Sequence, residues 1–132
     1  MNFKHEKDRN MFFMLHPALI FIISDLNLYA KEKFNIDLVI TQTVSTVEQD
    51  RKLNRVSAAH RSFAAADIRT KDLDPFVVQD LIQYINSKEE YKKYRYLSKS
   101  GIKRLAYYHV GSAEHLHIAL HRKYFNFGIK SE

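Results

Sequence analysis

Leu105-Ala-Tyr-Tyr-His-Val110 and His115-Leu-His-Ile-Ala-Leu-His121, joined across Gly111-Ser112, read as two strands and a turn. His115 and His117 alternate with Leu116 and Ile118, the period of two that belongs to a half-buried strand. Gly and Ser between two such runs are turn residues. Strands joined this closely pair antiparallel, and the alternation points residues 115 and 117 toward one face of the sheet.

Working outward, Ala64 to Ile68 reads as another strand, and the β-branched run Leu38 to Thr43 as a further one. Pro17 suits a first helical turn, and Leu19, Ile22, Ile23, Leu26 and Tyr29/Ala30 then recur at helical spacing, predicting a helix over 17–34. Asp74-Pro75 is a helix start, with Val77, Val78, Leu81, Ile82 and Ile85 as its apolar face to about Asn86. Residues 44–59, including Glu48 to Arg51, are a short helix or an active-site loop. Residues 88–100 carry Tyr91, Tyr94, Tyr96 and Arg95 among lysines, as a solvated segment or a binding surface. Residues 1–14 are expected to be a loosely held leader. The order implies a single α+β domain over residues 1–132, a small antiparallel sheet with helices packed on it.

Composition bounds the chemistry. The chain has 132 residues, 45% of them hydrophobic, enough for one continuous core. It has no cysteine, so a metal must be held by His, Asp or Glu, and seven histidines are available. The formal charge of +6 favours encounter with polyanions, nucleic acid and anionic cell wall alike. The most apolar stretch, Ala18 to Ile23, is far shorter than the ~20 residues of a membrane span. The charged start Met1 to Asn10 precedes no small-residue cleavage site. The expectation is a chain made in the cytoplasm without a signal peptide, with no membrane partner.

His60 and Asp67 stand seven residues apart at the mouth and in the body of a strand, and Glu114-His-Leu-His117 enters another. A catalytic zinc takes about three protein ligands and keeps one position open. His60, Asp67 and His117 supply three donors, and Glu114 is the candidate to take a proton from an activated water. Each residue alone has an ordinary reading. His60 is a surface or hydrogen-bonded histidine, Asp67 a turn or ion-pair residue, and His115 and His117 face solvent.

Taken together, His60, Ala65, Asp67, Ile68, Glu114 and His117 resemble a known pattern: a His, an Asp seven residues on in Ala-x-Asp-Ile, and a later Glu-x-x-His. It is that of the zinc D-alanyl-D-alanine carboxypeptidases and L-alanyl-D-glutamate endopeptidases, VanY-type enzymes and phage endolysins. Asp67-Ile-Arg-Thr70 and His109-Val-Gly-Ser-x-Glu-His-Leu-His-Ile118 are similar to short phage-type members. The resemblance covers roughly residues 15–122. It implies a hedgehog/D-Ala-D-Ala-peptidase-like fold, zinc (Zn2+) on His60, Asp67 and His117, Glu114 as general base, and His115 beside the site stabilising an oxyanion. Strand alternation conflicts with Glu114 facing the metal unless it lies in the turn or at a bulge. The implied activity is hydrolysis of a stem-peptide bond in bacterial peptidoglycan by a monomer acting at the cell wall, reached through a holin-type lysis partner.

The chain departs from this pattern at Val44, where the family carries an Arg, at Ala58, where a Ser is common with Ser57 one place out, and at Phe63, where it carries Gly. Arg51, Arg55 and Arg61 are candidates for the missing guanidinium. The departures motivate a second reading, a catalytically impaired metal-binding domain that holds cell wall or a protein partner. A third is a nucleic-acid binder using Lys92, Lys93, Arg95, Lys99, Lys103 and Arg104 with interleaved tyrosines, against a plain solvated face. It ranks below the other two, and nucleic acid is not the expected partner.

Overall fold

The strand around His117 lies inside a five-stranded sheet. The computed structural model describes residues 1–54, 58–110 and 114–125. A short strand β1 (Asn2–Phe3) leads to helix α1 (Glu6–Met11), a 3-10 turn (Phe12–Met14), α2 (Pro17–Phe34), β2 (Val39–Gln42) and α3 (Val47–Lys52). Then come β3 (Ala65–Arg69), α4 (Pro75–Ser87), a 3-10 helix (Glu89–Tyr94), β4 (Tyr96–Leu97), β5 (Lys103–Arg104), β6 (Ala106–His109), β7 (His115–Ala119) and a last 3-10 turn (Arg122–Tyr124). The architecture is α+β, with sheet order β1-β2-β3-β7-β6 and a separate two-stranded ribbon of β4 and β5.

The ladders β2–β3, β3–β7 and β7–β6 are antiparallel, but β1 joins β2 in parallel, so the sheet is mixed. This edge has no signature in the sequence, because two residues carry no period. Residues 1–14, expected as a loose leader, are instead tied down. Asn2 N–H donates to the Leu38 carbonyl at 2.7 Å, and Lys4 N–H to that of Ile40 at 2.9 Å. Phe12 and, just beyond, Leu15 are buried in the core. Removing such side chains from water gains about 1.5–3 kcal/mol each, more than a frayed end would retain.

Helix α2 begins where the sequence indicates. Pro17 occupies the first turn, and His16 caps it by accepting from Ala18 N–H at 3.0 Å. The helix ends at Asn35, whose left-handed φ of 55° lets its N–H reach the Ala30 and Lys31 carbonyls. Asp74 caps α4 by accepting from Phe76 N–H at 2.8 Å. Buried Leu19, Ile22, Ile23 and Leu26 of α2 and Leu81 and Ile85 of α4 pack against Ile40, Ile68, Leu116 and Ile118 of the sheet. Two polar clamps fix the helices. Asp25 accepts from Tyr84 at 2.9 Å, Lys88 at 2.7 Å and Tyr91 at 2.5 Å, joining α2, α4 and the 3-10 helix. Asn86 Oδ1 accepts from Leu105 and Ala106 N–H, and its amide donates to the Ala106 carbonyl, placing the start of β6.

All of this covers one face of the sheet. On the other face Ala59, Ala65 and Ala119 form a small apolar cluster beside Tyr96 and Phe125. The odd-numbered residues of β3 and β7 open there. No described helix is long and apolar enough to cross a membrane. The turn expected at Gly111-Ser112 lies outside the described residues.

Candidate metal centre

Asp67 sits in the middle of β3, between Gln42 of β2 and His117 of β7. It is 3% exposed, and it shares with His117 the face of the sheet opposite α2 and α4. One of its oxygens, Oδ1, is the focus of three imidazoles. His117 Nδ1 lies at 2.8 Å, His60 Nε2 at 3.3 Å and His115 Nε2 at 3.4 Å. Candidate ligand atoms of His60, Asp67 and His117 all fall within 4.8 Å of one another.

His60 reaches this point by a tight turn. Ser62 N–H donates to the Ala58 carbonyl, Phe63 N–H to that of His60, and Ala64 N–H to that of Ala59. Closing the turn requires Phe63 at φ 60°, a left-handed conformation costly for a side chain of that size. It falls at the position where the resembled pattern has Gly. His60 Nδ1 lies 2.7 Å from the Thr43 carbonyl. A carbonyl only accepts, so Nδ1 carries the proton and Nε2 presents its lone pair. That Nε2 is buried and has no hydrogen-bond partner. Thr43 is itself fixed, since its N–H and hydroxyl both donate to buried Asp8, at 2.8 and 2.7 Å. A relay from Asp8 through Thr43 therefore orients the His60 ring, the kind of outer support that metal-ligating histidines have.

The electrostatics suit a cation. Burial would raise the pKa of Asp67, but the opposing contacts, the hydrogen bond from His117 foremost, outweigh it and hold the carboxyl far below the usual carboxylate range. For His117, burial lowers the pKa against the opposing pull of Asp67, favouring the neutral ring that metals bind. Bonds of about 2.0–2.2 Å in a tetrahedron set ligand atoms roughly 3.3–3.6 Å apart, and His60 Nε2 to Asp67 Oδ1 already has that spacing. Two imidazoles, one of them with a buried nitrogen that has no hydrogen-bond partner, and one carboxylate fit a zinc-type ion.

The other expected residues are placed differently. His115 lies beside the triad and stacks on His109, ring centroids 4.7 Å apart. Glu114 does not join them. It precedes β7, is exposed, and accepts from Tyr108 Oη at 2.5 Å. Tyr108 pairs with Leu116, so this bond lies toward the helix-covered side of the strand. Val44 is half-buried against the core. Of the candidate replacements for its guanidinium, Arg61 is paired to Asp50 at 3.2 Å, Arg51 is exposed at the end of α3, and Arg55 lies outside the described residues, as does Ser57.

Sequence reasoning missed Tyr107 and His109, which the register places opposite His117 and His115. The Tyr107 ring is 5.1 Å from that of His117. Carrying the alternation of β7 across the hairpin would have found both. It also missed Asp8, which no local pattern marks, and it named Arg104 only among the cations of a nucleic-acid-binding reading. Neither a family model, a curated protein nor a solved structure matches the chain.

Proposed function

We propose that this chain is a zinc-dependent peptidase that hydrolyses a stem-peptide bond in bacterial peptidoglycan. The observation that carries the reading is the convergence of His60, Asp67 and His117, with His60 Nε2 buried and without a hydrogen-bond partner. The sequence resemblance supplies the substrate class, and the charge of +6 favours an anionic wall. Delivery to the wall through a holin-type partner belongs to the same proposal.

His60 and His117 would bind the ion through neutral nitrogens and Asp67 through its ionised oxygen. Zinc, when bound, acidifies a water toward pKa ~7 and polarises the scissile carbonyl. Glu114 would accept the proton released and return it to the leaving amine. To do so its side chain must leave Tyr108 and turn to the open face, a rotation its exposed position outside the ladder permits. His115, next to Asp67, would donate to the developing oxyanion.

The Glu114–Tyr108 bond favours a second reading, a domain of the same kind that holds metal and wall without turning over. Metal analysis, peptidoglycan digestion and two variants separate them. The peptidase reading expects about one zinc per chain, loss of digestion in chelator, and Glu114→Ala that keeps zinc but loses turnover. It expects Tyr108→Phe, which frees Glu114, to retain or raise turnover. Zinc-loaded protein that binds wall and releases no peptide supports the second reading. Digestion unchanged in chelator, with no metal bound, rejects both.

A further inference from the structure

The resembled pattern carries an arginine where this chain has Val44. A different arginine faces the site. An open groove of about 1100 Å3 runs from His117 toward the β4–β5 ribbon. Its lining includes Lys99, Arg104 and Arg122 with Tyr96 and Tyr107, and no Asp or Glu is among its described lining residues. Such a groove concentrates anions.

Arg104 is the preorganised cation in it. The ribbon pairs Arg104 with Tyr96, and Arg104 Nε donates to Tyr96 Oη at 3.3 Å. Its guanidinium lies over the Tyr107 ring, 4.4 Å from the centroid, and Tyr107 in turn packs against His117. With Nε engaged and one face on an aromatic ring, the two terminal nitrogens remain to form a planar fork. No described carboxylate lies within ion-pair distance of them. A planar fork on a stacked arginine matches the geometry of a carboxylate. One tyrosine ring separates Arg104 from His117, a distance that ~3.3 Å per residue of extended chain spans in about three residues.

We propose that Arg104 is the specificity-determining residue of this groove, reading a carboxylate on the substrate peptide within about three residues of the bond cleaved. The inference rests on the peptidase reading for the identity of the ligand as a peptide.

The test uses the full zinc-loaded chain and two synthetic stem peptides, identical except that the glutamate carboxylate is free in one and a primary amide in the other. Binding is followed by calorimetry and cleavage by mass spectrometry. Wild-type protein should bind the acid about ten-fold more tightly than the amide. Arg104→Ala should bring that ratio to about one by weakening the acid alone. Arg104→Lys should retain part of it, and Lys31→Ala, on α2 and outside the groove, should leave it unchanged. Zinc content equal to wild type in each variant reports an intact site. Equal binding of both peptides by wild-type protein, or an unchanged ratio in Arg104→Ala, overturns the proposal. So does tighter binding of a phosphorylated peptide than of the acid, which assigns the groove to phosphate. Absence of cleavage with the Arg104-dependent ratio intact rejects the peptidase step and supports the carboxylate reader.

Discussion

The two faces of the central sheet are built from alternate residues of the same strands, yet they obey different physics. Toward the helices, Ile68, Leu116 and Ile118 are fully buried among apolar neighbours. Toward the open side, Asp67, His115 and His117 occupy the intervening positions of β3 and β7. One face is stabilised by area removed from water, with no directional demand on any single atom. The other concentrates a carboxylate and three imidazoles, where each atom needs a partner or costs free energy. The first face gives the second a rigid frame, and this separation allows ligands to be aimed without being part of the core.

Substitutions on the two faces should therefore separate stability from metal binding. Ile68→Ala is expected to cost about 2–5 kcal/mol of stability, read by denaturant unfolding, because it leaves a cavity in a packed core. The protein that remains folded should bind zinc as tightly as wild type. His117→Gln keeps a polar side chain beside Asp67 and removes the imidazole. Its stability should change by only about 1 kcal/mol, while zinc affinity falls by more than the roughly 10–100-fold that loss of an outer partner costs. A variant of Ile68 that loses zinc affinity, or one of His117 that unfolds, would show that the faces are not separable.

The helix side has its own half-buried acid, which sharpens the contrast. Burial would raise the pKa of Asp25, but hydrogen bonds from Lys88, Tyr91 and Tyr84 outweigh this and lower it. A carboxyl whose folded value is depressed contributes stability that is present above its unfolded pKa and lost as pH falls through the folded one. Acid unfolding of wild-type protein should steepen below the ordinary carboxylate value of about 3.9. Asp25→Ala should remove that component and cost about 1–3 kcal/mol at neutral pH. Zinc affinity at neutral pH should be unaltered, since the Asp25 partners Tyr84, Lys88 and Tyr91 lie on the side of the helices, away from the triad.

Asp8 crosses between the two regimes. It lies on α1, is buried, and acts on His60 only through Thr43. Asp8→Ala leaves two Thr43 donors without their acceptor and releases the carbonyl that orients the ring. Zinc affinity is expected to fall about ten-fold, within the range for outer-shell partners, with the triad itself unchanged. Competition titration against a chelator of known affinity measures it. Affinity equal to wild type would reduce Asp8 to a structural residue.

The legibility of these parts follows from range. Helix 17–34 was readable to its ends because Pro17 and the apolar period are local signals. The alternation of β7 made the shared face of His115 and His117 readable, and the His60–Asp67 spacing made the triad a candidate. The parallel pairing of Asn2-Phe3, the Asp8–Thr43 bond across thirty-five residues, and the turning of Glu114 to Tyr108 depend on contacts that leave no period in the chain. The β4–β5 ribbon was read only as a basic, tyrosine-bearing stretch. Its pairing, and not its composition, brings Arg104 to the groove.

The smallest effect concerns the turn that joins the two faces. Phe63 packs its side chain against the apolar core while its backbone, at φ 60°, swings His60 to the open side. The conformation costs a non-glycine residue about 1–2 kcal/mol, and glycine almost nothing. Phe63→Ala loses the core contact and keeps the strain. Phe63→Gly loses the same contact and relieves the strain, at the expense of about 0.5–1 kcal/mol of extra chain entropy in the unfolded state. The glycine variant should therefore be the more stable of the two by up to about 1 kcal/mol, the reverse of the order at ordinary positions. Both should bind zinc with similar affinity, because the hydrogen bond from His60 to the Thr43 carbonyl does not involve Phe63. An alanine variant clearly more stable than the glycine one would mean that the turn relaxes out of the left-handed region, so that the backbone aiming His60 adapts to its side chains rather than constraining them.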